Sequence, residues 1–138
     1  MAAREPGKSD EGIPNPFKGR TGIARVWHAF RNSCAGVSGA FRNESAFRQE
    51  VVLAAILIPI ACVLDVTRLE RALLVGTVLL LLVVELLNAG IETAIDRISF
   101  ELHPLSKRAK DMGSAAVLLS LVLCGGIWLA ALHARFIA

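Results

Sequence analysis

From Val51 onward the chain reads as three apolar blocks separated by polar clusters. Val51 to Leu64 holds no charge for 14 residues. That is short of the roughly 17 to 25 residues a membrane-crossing helix needs, so this span extends toward Phe47 and Val66, with Arg48 snorkelling to the interface. Ala72 to Ile91 runs for 20 residues with Glu85 as its one charge and Asn88 as its one amide. Gly113 to Leu132 is 20 residues without a charge. The pattern predicts spans at about 47–66, 71–91 and 112–133. Connections at 65–71 and 92–112 are short enough to leave only a compact three-helix bundle.

Upstream the period changes. From Thr21 to Phe41, the apolar positions Ile23, Val26, Trp27, Phe30, Cys34, Val37 and Phe41 recur every three to four residues, with Arg25, Arg31, Asn32 and Arg42 on the other side. This predicts an amphipathic helix over 21–42, and its Arg and Trp fit a helix lying in the headgroup plane. Packing against another protein helix would need the same pattern. Residues 1–20 carry three of the five Pro, three Gly and several charges with almost nothing apolar, the composition of a disordered polar tail. They contain no apolar stretch of the kind a secretory signal requires. A Gly-Lys-Ser at 7–9 is not a phosphate loop, because Ala2 stands where that motif needs its first Gly.

Composition agrees with the blocks. The apolar fraction is 54%, the mean hydropathy +0.56 and the charged fraction 20%. With the 11 Gly included the apolar share is about 62%, above the roughly 45–50% of a soluble domain. The expected class is an all-α membrane protein, and a soluble enzyme is excluded. A net charge of +3 is too small for a nucleic-acid binder. The three Cys share no spacing typical of a disulfide framework or zinc site. Lys and Arg are distributed as eight in residues 1–50, two in 65–71, four between Arg97 and Lys110, and one at Arg135. The positive-inside rule therefore puts the N-terminal region and the 92–112 connection in the cytoplasm, and the C-terminus outside.

The polar residues of the second span carry the chemistry. Glu85, Asn88, Glu92 and Asp96 follow an i, i+3, i+7, i+11 spacing, which keeps them within a sector of about 60° to 80° on one helix face. A carboxylate within a span costs a few kcal/mol, so it faces protein or water and marks a functional site. Asn88 alone would also serve as a structural inter-helix hydrogen bond. Counted from Ala72, Glu85 lies about 20 Å into a hydrocarbon core of about 30 Å, with Glu92 at the cytoplasmic interface. Glu44 and Glu50 flank the start of the first span, and Lys110 and Asp111 the start of the third. Carboxylates, an amide and a cation gathered at one aqueous boundary suit a magnesium nucleotide, and a cation pathway or proton relay would use similar residues.

Three strings, ESAFRQE at 44–50, ELLNAGIETAIDR at 85–97 and RAKDMGSAAV at 108–117, together resemble the prokaryotic diacylglycerol kinase family, over about residues 22–135. That resemblance implies transfer of the ATP γ-phosphate to the free hydroxyl of 1,2-diacylglycerol, giving phosphatidic acid, by a homotrimer with sites shared between subunits in the bacterial inner membrane. It implies one kinase domain over 21–138, with the C-terminus periplasmic. Carried over by position, Glu85 resembles the catalytic base, and Glu44 and Glu92 the carboxylates that hold Mg2+ with ATP. Asn88, Lys110, Asp111 and Arg25 fall on the nucleotide side. Asn43, Arg48, Glu50 and Ser114 fall with the lipid substrate, and Asp96 is associated with the site. A homotrimer also agrees with physical reasoning, since three narrow helices cannot alone shield several intramembrane polar groups from lipid.

The 20-residue tail is longer than the family minimum, and Pro104 in ELHPLSKRAKD resembles the related undecaprenol kinases, which act on an isoprenoid alcohol, while ESAFRQE and KDMGSAAV favour the diacylglycerol branch. From a different class, an ion or proton conduit lined by Glu85, Glu92 and Asp96 is disfavoured, because Leu73 to Val84 offers only Thr77 to continue a path. His28, His103 and His133 are too far apart in the predicted topology to form one metal site. Trp27 and Trp128 read as interface anchors. Gly36 with Ala40, and Gly125 with Gly126, read as points of close helix approach.

Overall fold

The computed structural model describes residues 22–98 and 103–137, and its regular structure is entirely helical. The tail expected at 1–20 lies outside the described residues. Four helices follow in order: α1 (Ile23–Asn43), α2 (Ser45–Val63), α3 (Arg68–Ile98) and α4 (Pro104–Phe136). The described residues up to Cys34 belong to one unit and those from Ala35 to a second.

Gly22 enters α1 with φ near 70°, a conformation that only Gly adopts without strain, and its carbonyl accepts from Arg25 N at 3.1 Å. Within the first unit Trp27 and Phe30 stack with centroids 6.1 Å apart, both well exposed. Val37 and Phe41, on the later turns of α1, are exposed as well.

α2, α3 and α4 are each long and apolar enough to cross a membrane. Their ends depart from the hydropathy boundaries because capping chemistry sets them. α2 stops at Val63, short of the expected extension to Val66, where Leu64 turns extended (ψ 137°). Arg71 closes that end by donating from Nε to Ala61 O (3.1 Å) and from Nη2 to Leu64 O (3.0 Å), which satisfies carbonyls a helix terminus leaves open. Thr67 and Glu70 start α3 with a reciprocal capping box. Thr67 N and Oγ1 both donate to Glu70 Oε2 (2.8 and 2.7 Å), and Glu70 N donates to Thr67 Oγ1 (3.2 Å). His103 Nδ1 accepts from Leu105 N at 3.2 Å and Pro104 occupies the first turn of α4. The expected connection at 92–112 is largely helical, since α3 runs on to Ile98 and α4 begins at Pro104. The outward prolongation of both helices lets polar residues of α3 and α4 face one another.

α3 is the central element. It packs on α2 on one side and α4 on the other, and the backbones of α2 and α4 do not approach each other among the described residues. The core joins Ala54 and Ala61 of α2, Leu74 and Val78 of α3, and Cys124 and Trp128 of α4. Ala54 and Ala61 lie two turns apart on one face, and small side chains there let the α3 leucines and valines close in. Leu74, Val78 and Leu81 are about 99% covered.

Two expectations are corrected here. Trp128 is not an interface anchor. It is buried, and its Nε1 donates to Leu74 O at 3.2 Å; Thr77 Oγ1 donates to the same oxygen at 3.1 Å. Because α4 continues to Phe136, Trp128 stands two turns inside the helix rather than at its end. Nor do Gly36, Gly125 and Gly126 mark close approaches within the chain, for a methyl group at any of them would meet no atom within 4 Å. The tight crossing is at Gly113 instead.

Much apolar surface stays open. Val52 and Ile56 on α2, Val83 and Leu87 on α3, and Leu119 and Val122 on α4 are each more than half exposed. A monomer in water does not leave such continuous faces uncovered, whereas lipid or further helices would cover them.

Candidate active site

α3 carries the stripe on its inner face. Glu85 and Asn88 are buried, and Glu92 and Asp96 are half-buried further along toward Ile98. One turn of helix separates Asn88 from Glu92, and the amide Nδ2 donates to Glu92 Oε1 at 3.2 Å. The Asn88 carbonyl Oδ1 is buried with no hydrogen-bond partner among the described residues.

α2 contributes the second wall. Glu50 is buried, its Oε2 also without a hydrogen-bond partner among the described residues, and it stands within electrostatic reach of Glu85. Glu44 is half-buried at the N-cap position of α2, yet its carboxylate makes no capping bond. It and Glu92 are the other two negative charges that act on Glu85. The structure therefore brings Glu44, Glu50, Glu85, Asn88 and Glu92 into one electrostatic neighbourhood. Four carboxylates with so few donors among them form a site arranged to meet positive charge or to accept protons.

α4 brings in a cation. Lys110 Nζ donates to Asp96 Oδ1 at 2.5 Å, which ties the start of α4 to the end of α3. Both side chains keep more than a third of their surface exposed, so the pair is a weak tie that another anion can replace. Asp111 does not join this group. Its neighbour along the chain points 100° away around the helix, and Asp111 pairs with Lys107 at 2.6 Å on the exposed face.

Arg48, Asn43 and Ser114 make no bond to this group. Arg48 donates from Nη1 to Phe41 O (3.3 Å) and Arg42 O (3.0 Å), where it closes the end of α1 across the α1–α2 joint. Asn43 donates back to Gly39 O at 2.9 Å. Ser114 is exposed on α4. Arg25 is exposed in the first turn of α1, in the N-terminal unit.

Sequence reasoning missed Gly113. It is buried where α4 crosses α3, against the Asn88 amide. A lone Gly beside a Ser gave no paired small-residue pattern. The available signal was its position one turn from Lys110, opposite a polar residue of the neighbouring span. Together with Asn88, Gly113 lines an open apolar groove of about 510 Å³ that Val84, Leu87, Ile91, Met112 and Ala116 also wall.

Among the described residues no group of three or more His, Cys, Asp or Glu is gathered closely enough to hold a metal by itself. The donor set is nevertheless one of hard oxygens, the Glu44 and Glu92 carboxylates, with the Asn88 amide bonded to Glu92 beside them. Such a set fits a Mg2+ that brings most of its ligands as phosphate oxygens and water.

Comparison with known proteins points the same way. A family model described as prokaryotic diacylglycerol kinase matches residues 31–132. A diacylglycerol kinase of Pseudomonas aeruginosa is 55% identical over 115 residues, 83% of this chain and 94% of its own. One of Escherichia coli K12 is 46% identical over 116 residues, 84% of this chain and 95% of its own. One of Haemophilus influenzae is 45% identical over 108 residues, 78% and 92% respectively. The family match takes in α2, α3, most of α4 and every buried polar residue of the site, and the chain belongs to the prokaryotic diacylglycerol kinase family.

Proposed function

We propose that the protein transfers the γ-phosphate of ATP to the free hydroxyl of 1,2-diacylglycerol and releases phosphatidic acid and ADP. The observation that carries this reading is Glu85, a carboxylate buried among Glu44, Glu50, Asn88 and Glu92 within an apolar span. Such a group meets a hydroxyl held at lipid depth on one side and a nucleotide arriving from the cytoplasm on the other.

In the proposed reaction a Glu85 oxygen takes the hydroxyl proton as the lipid hydroxyl oxygen forms its bond to the γ-phosphorus. The bond from the γ-phosphorus to the β-bridging oxygen breaks, and ADP leaves with that oxygen. Glu44 and Glu92 would hold Mg2+, which when bound neutralises phosphate charge that the carboxylates alone would repel. The Asn88 Nδ2 bond to Glu92 Oε1 orients that carboxylate. Lys110, released from Asp96 by an incoming phosphate, would counter charge on the transferring group. The apolar groove next to Asn88 excludes water from the lipid side, which favours the alcohol over hydrolysis.

The same reading covers the assembly and its setting. Exposed apolar faces on all three long helices and half-buried Glu92 and Asp96 support a homotrimer in the bacterial inner membrane, with copies closing around the polar stripe. The apolar positions of α1 support an amphipathic helix in the headgroup plane, and the Lys and Arg distribution supports a cytoplasmic N-terminus and a periplasmic C-terminus.

The test is transfer of labelled phosphate from ATP to diacylglycerol and, in parallel, to undecaprenol in mixed micelles. Product on diacylglycerol at the higher rate is expected. Preference for undecaprenol would move the protein to the isoprenoid branch, and no product on either lipid would overturn the reading.

A further inference from the structure

We infer that Gly113 is a positioning residue for Asn88, fixing the amide and through it the Glu92 carboxylate. A Cβ placed on Gly113 would overlap Asn88 Oδ1 and lie 3.3 Å from Asn88 Cγ, with Asn88 Cα the next atom at 3.9 Å. The other described glycines of the long helices (Gly76, Gly90, Gly125 and Gly126) would each accept a Cβ with nothing within 4 Å. The restriction is therefore local to this crossing and is not a general demand for close helices.

Asn88 has no easy retreat. The residue is 91% covered, and its Nδ2 is committed to Glu92 Oε1 at 3.2 Å. With a methyl group at 113, the amide must rotate away from Glu92 or α3 and α4 must part. The second movement would also strain the Lys110–Asp96 tie three residues before the crossing. Gly113 thus acts on the Glu92 carboxylate through Asn88. It sets the distance between the α3 stripe and α4 at the one level where the site needs it.

The activity arm of the test rests on the kinase reading; the stability arm does not. Gly113→Ala, Asn88→Ala and the double variant are prepared as full-length protein in detergent micelles, with Gly125→Ala as control for a helical Gly-to-Ala change in the same helix. Gly113→Ala is expected to lower kcat on the order of 100-fold, as small misplacements of reacting groups do, with the lipid KM little changed. Gly125→Ala should keep the wild-type rate. In the Asn88→Ala background the added methyl should shift neither the residual rate nor the thermal midpoint, because the atoms it would strike are gone. Wild-type kcat in Gly113→Ala would overturn the inference. So would an equal drop in midpoint in both backgrounds, or failure of the double variant to fold. Folding of the double variant alongside loss of fold in Gly113→Ala alone would support it. An inactive wild type would refute the kinase reading and leave the midpoint comparison to decide the role of Gly113.

Discussion

Replacing Trp128 with Phe separates the scaffold from the site. The indole Nε1 donates to Leu74 O at 3.2 Å from within the core, so the variant loses one buried hydrogen bond and part of a ring. The bond is worth about 0.5 to 1.5 kcal/mol, and membrane measurements centre near the lower figure. Leu74 O keeps its Thr77 Oγ1 donor at 3.1 Å, so the acceptor is not stranded. The lost ring volume adds about 1 kcal/mol as a partly relaxed cavity. The sum, about 1 to 3 kcal/mol, is roughly a 5- to 150-fold shift in the unfolding equilibrium. Leu74 is eleven residues from Glu85, about 16 Å along α3, so the folded variant should keep its specific activity. Thr77→Val should cost more in the Trp128→Phe background than in wild type, because the same carbonyl then loses both side-chain donors. The assay is reversible unfolding in mixed micelles alongside specific activity. An unchanged unfolding curve, or a folded variant with severalfold lower specific activity, would refute the buried placement of Trp128 or its separation from the site.

The two caps between α2 and α3 give further predictions. Arg71→Ala removes two bonds to the carbonyls of Ala61 and Leu64 and should destabilise by about 1 to 3 kcal/mol in the same unfolding assay. Arg71→Lys should recover only part of that, since one ammonium cannot reproduce the guanidinium fork. Thr67→Ala breaks the capping box at the start of α3 and should cost about 1 kcal/mol, with Thr67→Ser close to wild type.

The helices and the stripe were legible in the sequence for a simple reason. Apolar runs of span length and an i, i+3, i+7, i+11 polar spacing are one-dimensional signals of a one-dimensional element. Glu85, Asn88 and Glu92 share a face because α-helical geometry leaves no alternative. Helix ends were less legible. Hydropathy falls at Ile91 and rises at Gly113, but Pro104 and His103 start α4 well before the apolar run, and α3 persists to Ile98. Trp128 was misread for the same reason: an aromatic near the end of an apolar run lies well inside a longer helix. Contacts between helices were least legible. That Lys110 meets Asp96 while Asp111 meets Lys107, and that Gly113 rather than the Gly125–Gly126 pair touches a neighbouring helix, depends on the rotation of α4 against α3. No periodicity within either helix encodes that rotation.

The central claim is that the buried Glu85 activates a lipid hydroxyl toward ATP. Its most direct test is the rate of phosphate transfer from ATP to diacylglycerol by wild type and Glu85→Gln at matched folded concentrations in mixed micelles. Loss of a general base is expected to lower kcat by about 10²- to 10⁴-fold. The unfolding midpoint should not fall, since Gln fills nearly the same volume without a charge among Glu44, Glu50 and Glu92. A Glu85→Gln variant that phosphorylates diacylglycerol at the wild-type rate would contradict the account.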